Sequence, residues 1–475
     1  MKIIGLGLLM LFSTSSFAAT GNDQQVIASK DALVSYLAVP EDCDTSPHLQ
    51  QQRFDAEHQV QIETYTFSSQ TWPKASMSSH STVWQHALIV YIPKVITTSQ
   101  ALLYVNGGTR NAMPQLDNPP PHVIDFSIMA AATGSIVVDL QDVPNQYLVF
   151  DDGIPRKEDS ILAYSWGRFL HKPADSAYWP GHVPMAKAII KAMNAVQYIA
   201  QNNHQIDVAN FMVVGTSKRG LATWLAALVD ERINAIIPIA IDILNTKDNL
   251  KYIYASYDNH WPPVFQSYLE EKIPEYLDTP EFAELMNIED PVSYLSGKNA
   301  AAFKQRLSIP KLIISASGDD FFVPDSLSVY LTKIPGETNV RMLPNQSHYL
   351  DLKKLEMGVL AFYQSIISHS PRPVLQWQVS AAGDLQGITT DTQPDQVILW
   401  QATNPDRRDF RLAEGIHYLP QILTAKSEDK SITYSVSARA ATTGWQASFI
   451  EVTYPNSMVM TTPVFITSTA ALRKP

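Results

Sequence analysis

The chain is short of several things. Among its 475 residues there is one cysteine, Cys43, so no disulfide can form within it. Stability has to come from apolar cores, which a chain of this length can build. The cysteine sits in Glu-Asp-Cys-Asp-Thr-Ser-Pro, an acidic setting with no cation to favour a thiolate, which argues against a catalytic thiol. Basic charge is in deficit, with 35 Lys and Arg against 46 Asp and Glu and a net charge of −11. A nucleic-acid partner is therefore not expected, since phosphate binding needs a basic surface. No HExxH or His/Cys cluster is present, which leaves no candidate metal site. No GxxxxGK[ST] loop is present, and the Gly-Leu-Gly-Leu-Leu near the start belongs to a leader. No cofactor is expected. Like-charge blocks, low-complexity tracts and internal repeats are also missing.

Long apolar runs are missing except at the beginning. Lys2 gives a positive start, Ile3 to Phe12 an apolar stretch, and Ser16-Phe17-Ala18 a small-residue cleavage signature. This is the pattern of a secretory leader over residues 1–19, cut after Ala18 or Ala19. About ten apolar residues are too few to cross a bilayer. The expected location is secreted or periplasmic, with no transmembrane segment once the leader is removed.

What remains is globular in type, 45% hydrophobic and 17% charged, and long enough for two or three domains. Apolar runs at His86–Pro93, Ala101–Gly108, Ser135–Leu140, Phe211–Gly215, Ile233–Asp242, Lys311–Gly318 and Asn339–Pro344 read as strands. Helical spacing appears at Pro184–Asn203, Leu221–Val229, Asp325–Lys333 and Asp351–Ser368. Strands alternating with helices predict a doubly wound, mostly parallel sheet, and buried parallel strands should be continuously apolar, as these are. Residues 245–308 interrupt the alternation with aromatics and prolines. They are expected to form a helical cap insertion over the sheet's C-terminal edge. After Ser370–Pro373 the pattern changes to short alternating strands without helices, which predicts a C-terminal β-sandwich over 370–475. The sheet domain would then occupy 20–369.

Ligands of an open parallel sheet bind at the C-terminal ends of its strands. Four features fall there. Ser217 follows the strand Phe211–Gly215 in Gly-Thr-Ser-Lys-Arg-Gly. A serine in a sharp strand-to-helix turn is the nucleophile elbow, whose usual form has glycine two residues either side. Here Gly215 fits, but Arg219 takes the second place and glycine comes one later, at Gly220. An ordinary turn would also need small residues. Asp319 and Asp320 follow the strand at 311–318, and either carboxylate can orient an imidazole. His348 follows the strand at 339–344. The chain order serine, acid, histidine is that of an α/β-hydrolase, with histidine as general base and the acid fixing its tautomer. Asn106-Gly107-Gly108-Thr109 follows the strand beginning at Ala101. A second oxyanion donor is expected from Gly107, Gly108 or Thr109, beside the N–H of Lys218. Lys218 and Arg219 are cations at a helix N-terminus, an unfavourable place for them. Either they serve the oxyanion or an acidic substrate group, or they point away to pair with carboxylates.

Together, GTSKRG, SGDDFFVPDS, LPNQSH, VPMAKAIIKAMNAVQ, VPNQYLVF with EDSILAYSW, SSQTW and LWQATNPDRRDFRL resemble the PhoPQ-activated pathogenicity-related protein family, over residues 30 to 470. The resemblance implies an α/β-hydrolase with a C-terminal β-domain, export, and in bacteria a link to virulence or envelope defence. The family's nucleophile motif falls on Gly215, Ser217 and Gly220, its basic pair on Lys218 and Arg219, and its histidine on His348. Its Gly-Asp-x-Phe-Phe pattern selects Asp319, whereas the Asp-x-x-Val-Pro spacing of generic hydrolases selects Asp320. The Gly-x-Ser-basic-x-Gly arrangement is also similar to glucuronoyl esterases, in which the basic neighbour helps at the oxyanion.

The reading that follows is an exported serine hydrolase acting on an ester or peptide bond of a small-molecule or peptide substrate. Two rivals remain. A silent binding or signalling protein on a hydrolase scaffold would be favoured by an occluded Ser217. A carbohydrate- or surface-binding adhesin would expose aromatics of the β-domain such as Trp377, Trp400 or Trp445.

Overall fold

The computed structural model describes residues 31–109, 124–173, 177–428, 431–436 and 444–468. The leader lies outside the described residues. Among the described residues nine strands make the main sheet: β1 His48–Asp55, β2 Val60–Thr71, β3 Val83–Pro93, β4 Gln100–Val105, β5 Ile136–Leu140, β6 Asn210–Thr216, β7 Ile233–Ile239, β8 Lys311–Ala316 and β9 Thr338–Leu343. Their order across the sheet is β1-β2-β3-β5-β4-β6-β7-β8-β9. The first three pair antiparallel, as does β3 with β5, and every later pair is parallel. This is an α/β-hydrolase fold. The central strands are apolar throughout because both faces are covered: every residue of β4, β5 and β8 is buried.

The two faces carry separate cores. On one, helices His182–His204 and Lys218–Val229 pack Ala186, Ile189, Val196, Leu221 and Leu225 against Leu103, Val138 and Val213. On the other, helices Phe126–Thr133 and Glu356–Ile367 pack Met129, Val359 and Phe362 against Leu102, Val137 and Val214. Alternate residues of one strand thus serve opposite cores, as the two-residue pleat requires.

Between β7 and β8 the chain leaves the sheet. It forms helices Thr246–Ser256, Gln266–Glu270, Pro280–Glu289 and Ala300–Arg306, with 3-10 turns between them. Thr279 caps the third of these through Phe282 N–H, and Pro280 takes its first position. The helix expected at Asp325–Lys333 is instead two 3-10 turns, Ser326–Val329 and Leu331–Lys333. Tyr330, at φ −136°, breaks the helical path between them while its hydroxyl donates to Asp242 at 2.7 Å. That tertiary bond overrides the local helical spacing.

The C-terminal region is two antiparallel sheets, one built on Leu375–Val379 and Leu385–Thr390, the other on Gln396–Asn404 and Trp445–Thr453. Leu385, Ile388 and Tyr434 of the first meet Val397, Leu399, Ile450 and Val452 of the second in one apolar cluster. Phe410, Tyr418, Phe449 and Val464 close instead on Met342 of β9. Thr461 Oγ1 accepts from Met342 N–H at 2.9 Å, and Arg341 meets Glu451 at 2.6 Å. Trp377, Trp400 and Trp445 are half-buried against these clusters, in line with core packing and not with the exposed aromatic face that an adhesin would show. The rings of Trp400 and Phe449 lie near-parallel, with centres 6.5 Å apart.

Candidate active site

Strand β6 ends at Thr216 and the next helix begins at Lys218. Ser217 makes the whole turn, at φ 57° and ψ −129°. A non-glycine residue held there stores about 1–3 kcal/mol of strain. The strain is over-determined by the frame: Ser217 N–H donates to Ile239 O at 2.7 Å, and Ser217 O accepts from Gly220 N–H at 2.8 Å. Helix and sheet approach so closely here that a Cβ on Gly220 would meet Gly215 O and Ile241 Cγ2 at 2.8 Å. This explains the displaced second glycine, since the close approach falls three residues after the serine.

The turn aims Ser217 Oγ at His348 Nε2, 3.0 Å away. On the other edge of the ring, His348 Nδ1 lies 2.9 Å from Asp319 Oδ2 and 3.1 Å from Oδ1. Asp319 is fixed in turn, its Oδ1 accepting from Phe321 N–H at 2.7 Å and Phe322 N–H at 3.2 Å. With a carboxylate at Nδ1, the proton sits on that nitrogen and Nε2 is left to accept from the serine. Phe321 packs on the imidazole with ring centres 4.5 Å apart. Asp319 and His348 are buried and Ser217 is half-buried.

Asp320, the alternative acid, is half-buried and has no bond to His348 Nδ1. Burial, and then the neighbouring charge of Asp319, push its carboxyl up from the ordinary value.

Lys218 and Arg219 turn to carboxylates. Lys218 Nζ lies 2.8 Å from Glu158 and 3.1 Å from Asp159. Arg219 lies 2.6 Å from the other oxygen of Glu158 and donates to Val143 O at 2.5 Å. Burial alone would raise the Glu158 carboxyl, but the charges of Arg219 and Lys218 outweigh it and hold it at about 2. The glycine loop lies over the same arginine, since a Cβ on Gly107 would meet its guanidinium at 2.5 Å. Gly108, at φ 148°, has Asp142 against it, and its carbonyl accepts from Gln146 Nε2–H at 2.5 Å. Thr109 is exposed. Val105 pairs with Gly215 across the sheet, so the loop starts beside the serine turn. Lys218 and Arg219, as the first residues of a helix, have N–H groups with no intrahelical acceptor.

A cavity of about 70 Å³ opens on Ser217. Its walls are mainly apolar, with Leu221, Ile241, Leu250, Phe265, Leu277 and Phe322 among them. Leu250, Phe265 and Leu277 come from the segment between β7 and β8, so that segment stands over the serine. Ser217 is therefore open to this cavity, and not occluded in the way that would favour a silent scaffold. Among the described residues no group of three His, Cys, Asp or Glu could hold a metal ion, and no helix is long and apolar enough to cross a membrane. Burial, followed by the charges of Glu41 and Asp42, raises the Cys43 thiol.

Sequence reasoning missed the partners of the basic pair. Glu158 and Asp159 are adjacent acids opening a helix, and an unfavourable Lys-Arg at one helix start calls for acids at another. It also missed His182, Glu289 and Trp166, which line the same cavity and come from three separate helices.

The sequence profile of the PhoPQ-activated pathogenicity-related protein family matches residues 35–411. The chain belongs to this family. Another protein similar to it is autocrine proliferation repressor protein A of Dictyostelium discoideum, 32% identical over 424 residues, covering 83% of this chain and 82% of that protein. Among solved structures, the acetyl xylan esterase from Paenibacillus sp. R4 aligns at a TM-score of 0.47 and 14% identity, over 73% of this chain and 96% of that one. Acetyl xylan esterase 1 from Thermoanaerobacterium sp. JW/SL YS485 aligns at 0.42 and 15%, over 70% and 92%. A glucuronoyl esterase from Solibacter usitatus aligns at 0.41 and 11%, over 71% and 91%. The departure from the usual elbow has a physical reason in this chain, the close approach of Gly220 to Gly215.

Proposed function

We propose that this family member is an exported serine hydrolase that cleaves an acyl bond, an ester before a peptide, with Ser217 as nucleophile, His348 as base and Asp319 as the acid that orients it. The observation that carries this is the unbroken hydrogen-bonded line from Asp319 through His348 to Ser217 Oγ, with the serine strained outward at φ 57°.

In the reaction, His348 Nε2 removes the Ser217 proton as Oγ attacks the acyl carbon. The negative charge collects on the former carbonyl oxygen, where the N–H of Lys218 and an N–H of the Gly107–Thr109 loop receive it. The imidazolium, steadied by Asp319, then protonates the leaving oxygen. Water, activated by the same histidine, attacks the acyl-enzyme and restores Ser217. Lys218 and Arg219 act through Glu158: with their charges neutralised, they fix the elbow and the glycine loop beside it.

The test is hydrolysis of p-nitrophenyl esters of short acids by the wild type and by Ser217→Ala. Turnover that falls at least about a thousandfold in a variant with an unchanged melting curve supports the reading. Equal turnover contradicts it. Export is part of the proposal, and N-terminal sequencing of the secreted or periplasmic protein should begin just after Ala18 or Ala19.

A further inference from the structure

The cavity on Ser217 is apolar except for a cluster of polar groups, and most of these satisfy one another. Lys218 meets Asp159 at 3.1 Å, and Tyr268 donates to the same carboxylate at 3.2 Å. His182 Nδ1 is bonded to Glu289, whose other oxygen accepts from His182 N–H at 3.2 Å. Trp166 is the exception. It is 6% exposed, lines the cavity, and its buried Nε1–H has no acceptor. A buried donor left unpaired is destabilising, and an indole nitrogen can only donate.

The cavity's place decides which half of a substrate it holds. Ser217 lines it and His348 does not. The leaving group must lie against the histidine that protonates it, so the cavity takes the acyl half. At about 70 Å³ it has room for only a few heavy atoms, since an apolar cavity of about 150 Å³ takes a benzene ring.

Resting on the serine-hydrolase reading, we infer that this cavity is an acyl subsite for a short hydroxyacyl group. The substrate hydroxyl accepts from Trp166 Nε1–H and donates to His182 Nε2, which is free to accept because Nδ1–H is committed to Glu289. A hydroxyl suits this pair better than a carboxylate does. Asp159, Glu289 and Lys218 already leave one negative charge in the lining when His182 is neutral, and a second anion would be repelled.

The experiment compares isosteric p-nitrophenyl esters: 3-hydroxypropionyl with butyryl, and lactyl with isobutyryl. The expected result is a preference of about tenfold or more in kcat/KM for one hydroxyacyl ester over its isostere. Trp166→Phe should erase that preference by lowering the hydroxyacyl rate alone. If Trp166→Phe does not fold, the wild-type comparison decides by itself. Fluorophosphonate labelling of the same wild-type sample separates the two claims. Labelled enzyme with no preference in either pair, or a preference that survives Trp166→Phe, overturns the subsite and leaves the hydrolase standing. Unlabelled, inactive protein overturns both.

Discussion

Ser217 and Glu158 share one uncommon backbone conformation, φ 57°, ψ −129° and φ 49°, ψ −128° respectively, and each stands directly before a helix. The carboxylate of the second, with Asp159 beside it, pairs with the two cations that follow the first. Two strained turns from distant parts of the chain are thus joined through Lys218 and Arg219. The pairing also accounts for two cations at a helix N-terminus, where the macrodipole alone would disfavour them.

Glu158→Gln should therefore destabilise the protein, and the loss should depend on pH. The folded-state carboxyl is held at about 2 against an ordinary 4.5. A depressed acid stabilises above its unfolded value and loses that contribution as pH falls through its folded value. The Glu158 side chain is 32% exposed, so solvent screening reduces the contribution to about 2 kcal/mol. Denaturant titration should show that gap between wild type and variant at pH 7, and a shrinking gap as pH drops below about 4. A gap equally large at pH 3 would show that the ion pairs are not its cause.

The two aspartates of the Gly-Asp-Asp loop should separate cleanly. Asp319→Asn removes the group that fixes the His348 tautomer and should lower kcat by about a thousandfold or more, with KM little changed. Asp320→Asn should leave kcat within about threefold, since no bond joins it to His348 Nδ1 and it gains no role in the transition state. The reverse ranking in steady-state kinetics would move the acid to Asp320.

The C-terminal region reaches the site through the arm that carries Arg408. This side chain donates to Ser256 Oγ at 2.8 Å and Tyr252 OH at 2.5 Å, and it pairs with buried Asp325. A few residues on, Leu412 N–H donates to Gly318 O at 3.1 Å, beside Asp319. Arg408→Ala strands the Asp325 charge and should cost about 3 kcal/mol. Combining it with Asp325→Asn should recover at least about 1 kcal/mol, because the second change removes the stranded charge. Additive losses in thermal unfolding would show that the pair is not coupled.

The sheet and the line of site residues could be read from the sequence because each rests on local chemistry. Continuous apolar runs mark buried parallel strands, and Ser217, Asp319 and His348 each follow one of them. Asp319 could not be told from Asp320 by spacing alone. What separates them is the bond network, in which the N–H groups of Phe321 and Phe322 hold Asp319 and not its neighbour. The helix expected around Asp325 failed because Tyr330 is drawn away to Asp242, a partner 88 residues distant. His182, Glu289 and Trp166 gave no signal for a similar reason. Each looks like an ordinary residue of an amphipathic helix, and only the packing of three helices brings them to one cavity.

The most direct test of the central claim is fluorophosphonate labelling of the mature protein, with the modified peptide located by mass spectrometry. The geometry predicts one adduct, on Ser217, lost in His348→Ala even though the serine remains. A well-folded wild-type protein that takes no label, or takes it on another serine, would contradict Ser217 as an activated nucleophile.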